Sequence, residues 1–330
     1  VTLVERRGDP RASGYVGGRS INLAISVRGI SALRTIGVDG EVLKRGIPMP
    51  GRRIHPVAGD VVFQPYSADP ARAINSVSRA ALNLVLLEAA AAEPNVELHF
   101  DHTCIDVDTA RTTARFRDTR GDRDVDMDAD FIIATDGAYS AVRQSLQRTE
   151  RFDFSQAFLG HGYKELTIPP GPDGAHQLDP SGLHIWPRGG FMMIALPNVD
   201  GSFTCTCFLP YEGPDGFASL DTPERAEAWF TRTFPDARRL MPDMPAEWAR
   251  NPVGAMVTIR CFPWHRQNVA LLGDAAHAIV PFYGQGANCA FEDTVTLSEC
   301  LDRHAPDCPA AFRAYETIRN SIVRVPGRKH

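Results

Sequence analysis

The chain has no apolar run approaching the roughly 20 residues that a membrane-spanning helix needs, and its opening residues form neither a secretory apolar core nor a small-residue cleavage site. This stretch therefore reads as soluble, and as cytoplasmic if the source is bacterial. There is no surplus of positive charge either: 35 Lys and Arg stand against 40 Asp and Glu, a net charge of -5 with the signs interspersed. Without a broad basic face to neutralise a phosphate backbone, nucleic acid is not an expected partner. Internal repeats and low-complexity tracts are also absent. The seven cysteines are odd in number and scattered singly in apolar surroundings, so they do not form a disulfide framework. Cys205 and Cys207 have C-x-C spacing, but no second Cys/His pair lies at ligand spacing, and no metal is expected. Strict alternation over 202–209 instead puts Phe203, Cys205, Cys207 and Leu209 on one face of a core strand.

What is present has ordinary globular proportions, with 43% hydrophobic and 23% charged residues over 330 positions. That length suits two closely connected domains. Residues 1–7 alternate like a strand that meets an acid, Glu5, before a Gly/Pro-rich loop at 8–18. Helical spacing predicts helices over 25–36 and 79–92. A buried strand at 131–135 closes on Asp136-Gly137 and feeds a helix at 140–146 capped by Ser140. From 152 to 209 the pattern becomes repeated strands, including 183–186 and 191–196, broken by Pro- and Gly-rich loops. Helices are expected at 223–229 and 245–250, then a short apolar strand at 269–272 that runs into a helix start, then helices at 285–301 and 310–322. The expected fold class is α/β: a Rossmann-like dinucleotide-binding region over 1–150 that returns over 253–330, with a mostly antiparallel sheet domain at 151–252 between them.

Three features could carry chemistry. A strand ending on an acid is how a dinucleotide fold holds a ribose, since carboxylate oxygens accept from both sugar hydroxyls; Glu5 fits, and so does a merely solvated strand end. Asp136-Gly137 is either a tight turn or a cofactor-side turn. The third is more specific: Gly273-Asp274-Ala275-Ala276-His277 followed by Val280-Pro281-Phe282-Tyr283-Gly284-Gln285-Gly286-Ala287-Asn288. Here an acid stands at a strand end, and a Gly-rich turn aims free N–H groups and a positive helix end at a carbonyl-rich or anionic ligand.

That segment resembles the flavin-contacting motif of the FAD-dependent aromatic hydroxylases. Five further strings narrow the resemblance to the kynurenine-hydroxylating branch: Gly18-Arg19-Ser20-Ile21-Asn22-Leu23-Ala24, Asn75-Ser76-Val77-Ser78-Arg79, Thr135-Asp136-Gly137-Ala138-Tyr139-Ser140, His161-Gly162-Tyr163-Lys164-Glu165-Leu166 and Leu183-His184-Ile185-Trp186-Pro187. The resemblance implies FAD and NADPH as cofactors, and O2 and L-kynurenine as partners, with 3-hydroxykynurenine as product. It implies that Glu5 holds the adenosine ribose beside Val4, Arg6 and Arg7. Ala24, Arg79 and the neighbourhood of Cys104 would line the FAD, Asp136 would lie near it, and Asp274 would bond toward its ribityl-pyrophosphate region. Ala287 and Asn288 would offer N–H groups to the isoalloxazine carbonyl. Arg52 and Tyr66, in substrate-contacting strands near 48–76, would grip the substrate carboxylate, a fork of donors plus a phenol. Phe282 and Tyr283 would flank the substrate. The cofactor carries the hard chemistry, so no catalytic side chain is required, and His277 reads as structural.

Two departures qualify the resemblance. Val1 aligns with the family's second strand, so the first βα unit with its glycine-rich phosphate turn is expected to be missing, and with it strong FAD binding. The match also fades after Arg319, where family members continue with helices that complete the carboxylate clamp and, in eukaryotes, a membrane anchor. A hydroxylase of another aromatic acid and a catalytically silent fragment therefore stay open as alternatives.

Overall fold

The computed structural model describes residues 1–13, 22–69 and 72–323. Its α/β part grows from short apolar strands. Ile132–Ala134 pairs in parallel with Val269–Leu271, and Thr2–Val4 pairs in parallel with Glu97–His99. Parallel strands covered on both faces need apolar side chains on both faces, and Val269, Ala270 and Leu271 are all fully buried. The helices Gly286–His304 and Cys308–Val323 pack against this pair, with Leu297, Phe312 and Tyr315 in the shared core. The Ala141–Gln147 helix starts where expected: Ser140 Oγ accepts the Arg143 N–H at 2.9 Å.

The expected helix at 25–36 divides in two. Asn22–Ile25 is a strand, paired antiparallel with Ile74–Ser78, and the helix runs from Val27 to Thr35. Ile25 satisfies a helical and a strand pattern equally, and the pairing with 74–78 decides between them. The helix at Arg79–Ala92 falls where its spacing predicts.

The second part is a seven-stranded sheet in the order Gly254–Phe262, Asp153–Ile168, Phe203–Pro210, Phe191–Pro197, Leu183–Arg188, Gly51–Ile54, Val62–Pro65. Every pairing is antiparallel except that of Leu183–Arg188 with Gly51–Ile54. Register assigns each side chain to one of two faces. Trp186, Met193, Cys207 and Cys205 lie on the face backed by the helices Pro223–Thr233 and Met244–Arg250, in a core with Phe230 and Trp248. The paired cysteines are thus fully buried core residues, and burial holds both thiols protonated. On the other face, Arg52 aligns with Leu183, Ile54 with Ile185, Ile194 with Thr206 and Met192 with Phe208. Gly254 sits at the outer strand where a Cβ would strike the Tyr163 ring, so the close approach of strand and ring requires glycine. Among the described residues no helix is long and apolar enough to cross a membrane.

Candidate cofactor cleft and substrate face

A cleft of about 890 Å³ opens between the first strand, the Arg79–Ala92 helix and the outer strands of the large sheet. Val4, Glu5, Arg7 and Arg79, four residues singled out in the sequence, line it together with Tyr163. Glu5 is fixed at the strand end by its backbone, whose N–H reaches His99 O at 2.8 Å, and by the Arg7 N–H bonding its Oε1 at 2.9 Å. Arg79 projects from the first position of its helix, near enough to Tyr163 and Asp274 to act on both electrostatically. Arg6 lies exposed outside this lining.

The Gly273–His277 segment corrects one expectation. It is a 3-10 turn, Gly273–Ala275, and the helix begins only at Gly286. The reason lies 20 residues downstream, where Asp293 accepts the Gly273 N–H at 3.3 Å and His277 Nε2 at 2.6 Å, closing the turn before a helix can propagate. Asp274 is exposed. Surrounding protein pushes its carboxyl pKa up, His277 and Arg79 push it back, and contact with water damps both. His277 is buried against the Trp264 ring, as a structural histidine would be.

Gly284 takes the left-handed conformation, φ +61°, with Ala24 directly beneath it. Asn288 is fully buried and locks the two together: its Nδ2 donates to Ala24 O and Gly284 O, both at 2.9 Å, and its Oδ1 accepts the Ser26 N–H. Gly286, Ala287 and Asn288 form the first helical turn, whose N–H groups have no intrahelical acceptor. A Cβ on Gly286 would meet nothing within 4 Å among the described residues. Ala24, Ala287 and Asn288 are thus brought together. Asp136 and Cys104 are neighbours of each other, the Asp136 carboxylate accepting the Val142 N–H, while burial and then that charge raise the Cys104 thiol to about 12. Cys104 packs against the core and does not line the cleft.

Arg52 and Tyr66 meet on the open face of the seven-stranded sheet. The guanidinium lies over the Tyr66 ring at 5.2 Å, and Arg52 Nε is buried with no partner among the described residues. Burial raises the Tyr66 phenol, and a bond from Arg52 opposes that shift. Phe282 packs edge-on against Phe208 at 5.3 Å, which joins the glycine turn to this same face, and Tyr163 leans on Phe208 from the cleft side. The side chain of Tyr283 lies outside the described residues, as do residues 18–21 of the Gly18–Ala24 string. Sequence reasoning missed Arg143, 2% exposed, which ties Ala138 O to Ala275 O at 2.6 and 2.8 Å. It also missed Asp293, held by Arg319 Nε at 2.6 Å.

The fold defines a class first. The chain superposes on 2-methyl-3-hydroxypyridine-5-carboxylic acid oxygenase with a TM-score of 0.78 at 20% identity, covering 98% of this chain and 81% of that one. It also superposes on Pseudomonas aeruginosa PqsL in complex with 2-aminobenzoylacetate, with a TM-score of 0.74 at 20% identity, covering 98% and 85%. These likenesses concern the fold. A family model described as FAD binding domain matches residues 1–324. Kynurenine 3-monooxygenase of Myxococcus xanthus is 49% identical over 322 residues, 97% of this chain and 69% of that protein. The Salinispora arenicola enzyme of the same name is 47% identical, over 97% of this chain and 70% of that protein. The chain belongs to the FAD-binding-domain family, in its kynurenine 3-monooxygenase branch.

Proposed function

We propose that this chain carries the FAD- and substrate-binding core of a monooxygenase that uses NADPH and O2 to convert L-kynurenine to 3-hydroxykynurenine. The observation that carries the reading is the Arg52–Tyr66 pair: a buried Arg52 Nε without a partner among the described residues, on the same sheet face as the Phe208–Phe282 contact. A planar fork beside a phenol suits a carboxylate, and the apolar floor next to it suits an aromatic ring.

The residues of the cleft fit the cofactor. Glu5 is placed to accept from a ribose, with Val4 and Arg7 beside it and Arg79 near enough to meet a phosphate. The N–H groups at 286–288 and the positive helix end suit a flavin carbonyl, above Ala24 and the left-handed Gly284. Asp136, whose carboxylate accepts the Val142 N–H, and Asp274, near Arg79, would lie beside the cofactor. FAD, when bound, supplies the redox chemistry and oxygen activation. The protein's part is positional: Arg52 and Tyr66 hold the carboxylate, Phe208 and Phe282 set the ring, and apolar packing keeps water away. No acid/base dyad is needed. The test is turnover by the full-length protein: L-kynurenine should stimulate NADPH oxidation and yield a product with one added oxygen at ring position 3. Stimulation by another aromatic acid with none by kynurenine would overturn the reading.

A further inference from the structure

The strand that carries Arg52 is fastened from behind by a buried pair of histidines. Strand alternation sends Arg52 to the open face and Arg53 to the helix-backed face, and His55, two residues on, lies on the same side as Arg53. His55 Nδ1 lies 2.8 Å from Asp236 Oδ2, and its Nε2 lies 2.8 Å from His184 Nδ1. His184 Nε2 lies 2.9 Å from Asp179 O. Both residues are buried, His55 5% and His184 2% exposed.

Counting protons decides the state of this chain. It ends on acceptors, a carboxylate at Asp236 and a backbone carbonyl at Asp179, and three hydrogen bonds lie between them. Each bond needs one proton, yet two neutral imidazoles supply only two. Three protons on two rings means one positive charge. Its counter-ion is Asp236, whose carboxyl burial would raise but whose hydrogen bonds from His55 and Trp186 hold well below the usual range. The His55 ring also stacks on Trp186, centroids 4.0 Å apart at 22°, a face that favours a cation. Two cations oppose the charge. Arg53 is drawn off by Asp179, and Arg188 bonds His55 O at 3.0 Å with its guanidinium over the Phe234 ring. Burial lowers His184 to about 4, so that ring resists a second proton.

We propose that His55 and His184 are a singly charged positioning pair for the substrate clamp, sharing three protons and setting from behind the strand where Arg52 meets the substrate carboxylate. This rests on the reading of Arg52 given above. Losing the third proton would break one of the three bonds, and KM for L-kynurenine should then climb while kcat holds. On the acid side a fourth proton, which would break the His55–His184 bond, arrives only as pH falls toward 4.

The direct test is nitrogen-15 NMR of the histidine side chains in the full-length, FAD-loaded protein. The two rings together should show three N–H protons; two neutral rings would overturn the pair. Kinetics test the positioning. Asp236→Asn should raise KM for L-kynurenine about three- to tenfold, the worth of a lost hydrogen bond, with kcat and flavin content unchanged. The decarboxylated amine of kynurenine should show no such rise. His184→Gln, which can accept from His55 and donate to Asp179 O, should keep KM near the parent's, whereas His184→Leu should raise it as Asp236→Asn does. Equal behaviour of Gln and Leu would reduce the pair to packing and overturn the proposal. If Arg52→Ala left KM unchanged while NMR found the cation, the carboxylate reading would fail and the charged pair would stand.

Discussion

The two faces of the seven-stranded sheet are built from the same strands and do opposite work. The helix-backed face holds a packed apolar core, with Trp186, Met193, Cys205, Cys207 and Phe230 nearly or fully buried, beside the buried histidine pair. The open face carries a guanidinium, a phenol and a row of partly covered apolar side chains that end at the glycine turn. The difference shows how one register does two jobs: a residue and its neighbour in a strand differ by a face, so stability and recognition can be mutated separately. Substitutions in the apolar core behind the sheet should cost folding free energy. Those in front should cost turnover.

The largest expected effect is behind the sheet. Phe230→Ala empties a fully buried site and should destabilise the protein by about 3 to 5 kcal/mol in denaturant unfolding, with kcat/KM of the remaining folded enzyme little changed. A cost below about 1 kcal/mol would mean that this face is not the packed core described. Next comes Gly254, where the two parts of the molecule meet. Gly254→Ala forces the Tyr163 ring away from the cleft, and overpacking of this kind costs about 1 to 3 kcal/mol. Flavin retention should fall with it, read by absorbance after gel filtration; full retention would detach Tyr163 from the cofactor cleft. The smallest effect is in front. Tyr66→Phe removes one neutral donor, about 1 kcal/mol, and should raise KM for L-kynurenine roughly fivefold without moving the melting temperature.

Much of the fold was legible because its signals are local. The alternation at 202–209 placed Cys205 and Cys207 on the core face, and Ser140 announced its helix three residues ahead of the N–H it caps. What stayed hidden depends on partners far along the chain. Gly273–His277 looks like a helix start because Asp-Ala-Ala favours one, and only Asp293 and Arg319 convert it to a closed turn. His55 and His184 are 129 positions apart, and nothing local marks either as half of a pair. Arg52 illustrates the third case. Composition and periodicity make it one arginine among many, the family resemblance singled it out, and the structure brought Tyr66 to it.

The role of Arg52 is tested most directly by one comparison: kcat/KM of Arg52→Ala and of the parent full-length protein, each with L-kynurenine and with its decarboxylated amine. Losing a charge-assisted contact worth about 1.5 to 3 kcal/mol should lower kcat/KM for kynurenine roughly tenfold to over a hundredfold. Turnover of the amine and flavin content should stay as they are, and Arg52→Lys should recover only part of the loss because an ammonium lacks the planar fork. An equal loss for both substrates, or a loss of flavin in its place, would contradict the carboxylate clamp and the division of labour between the two faces.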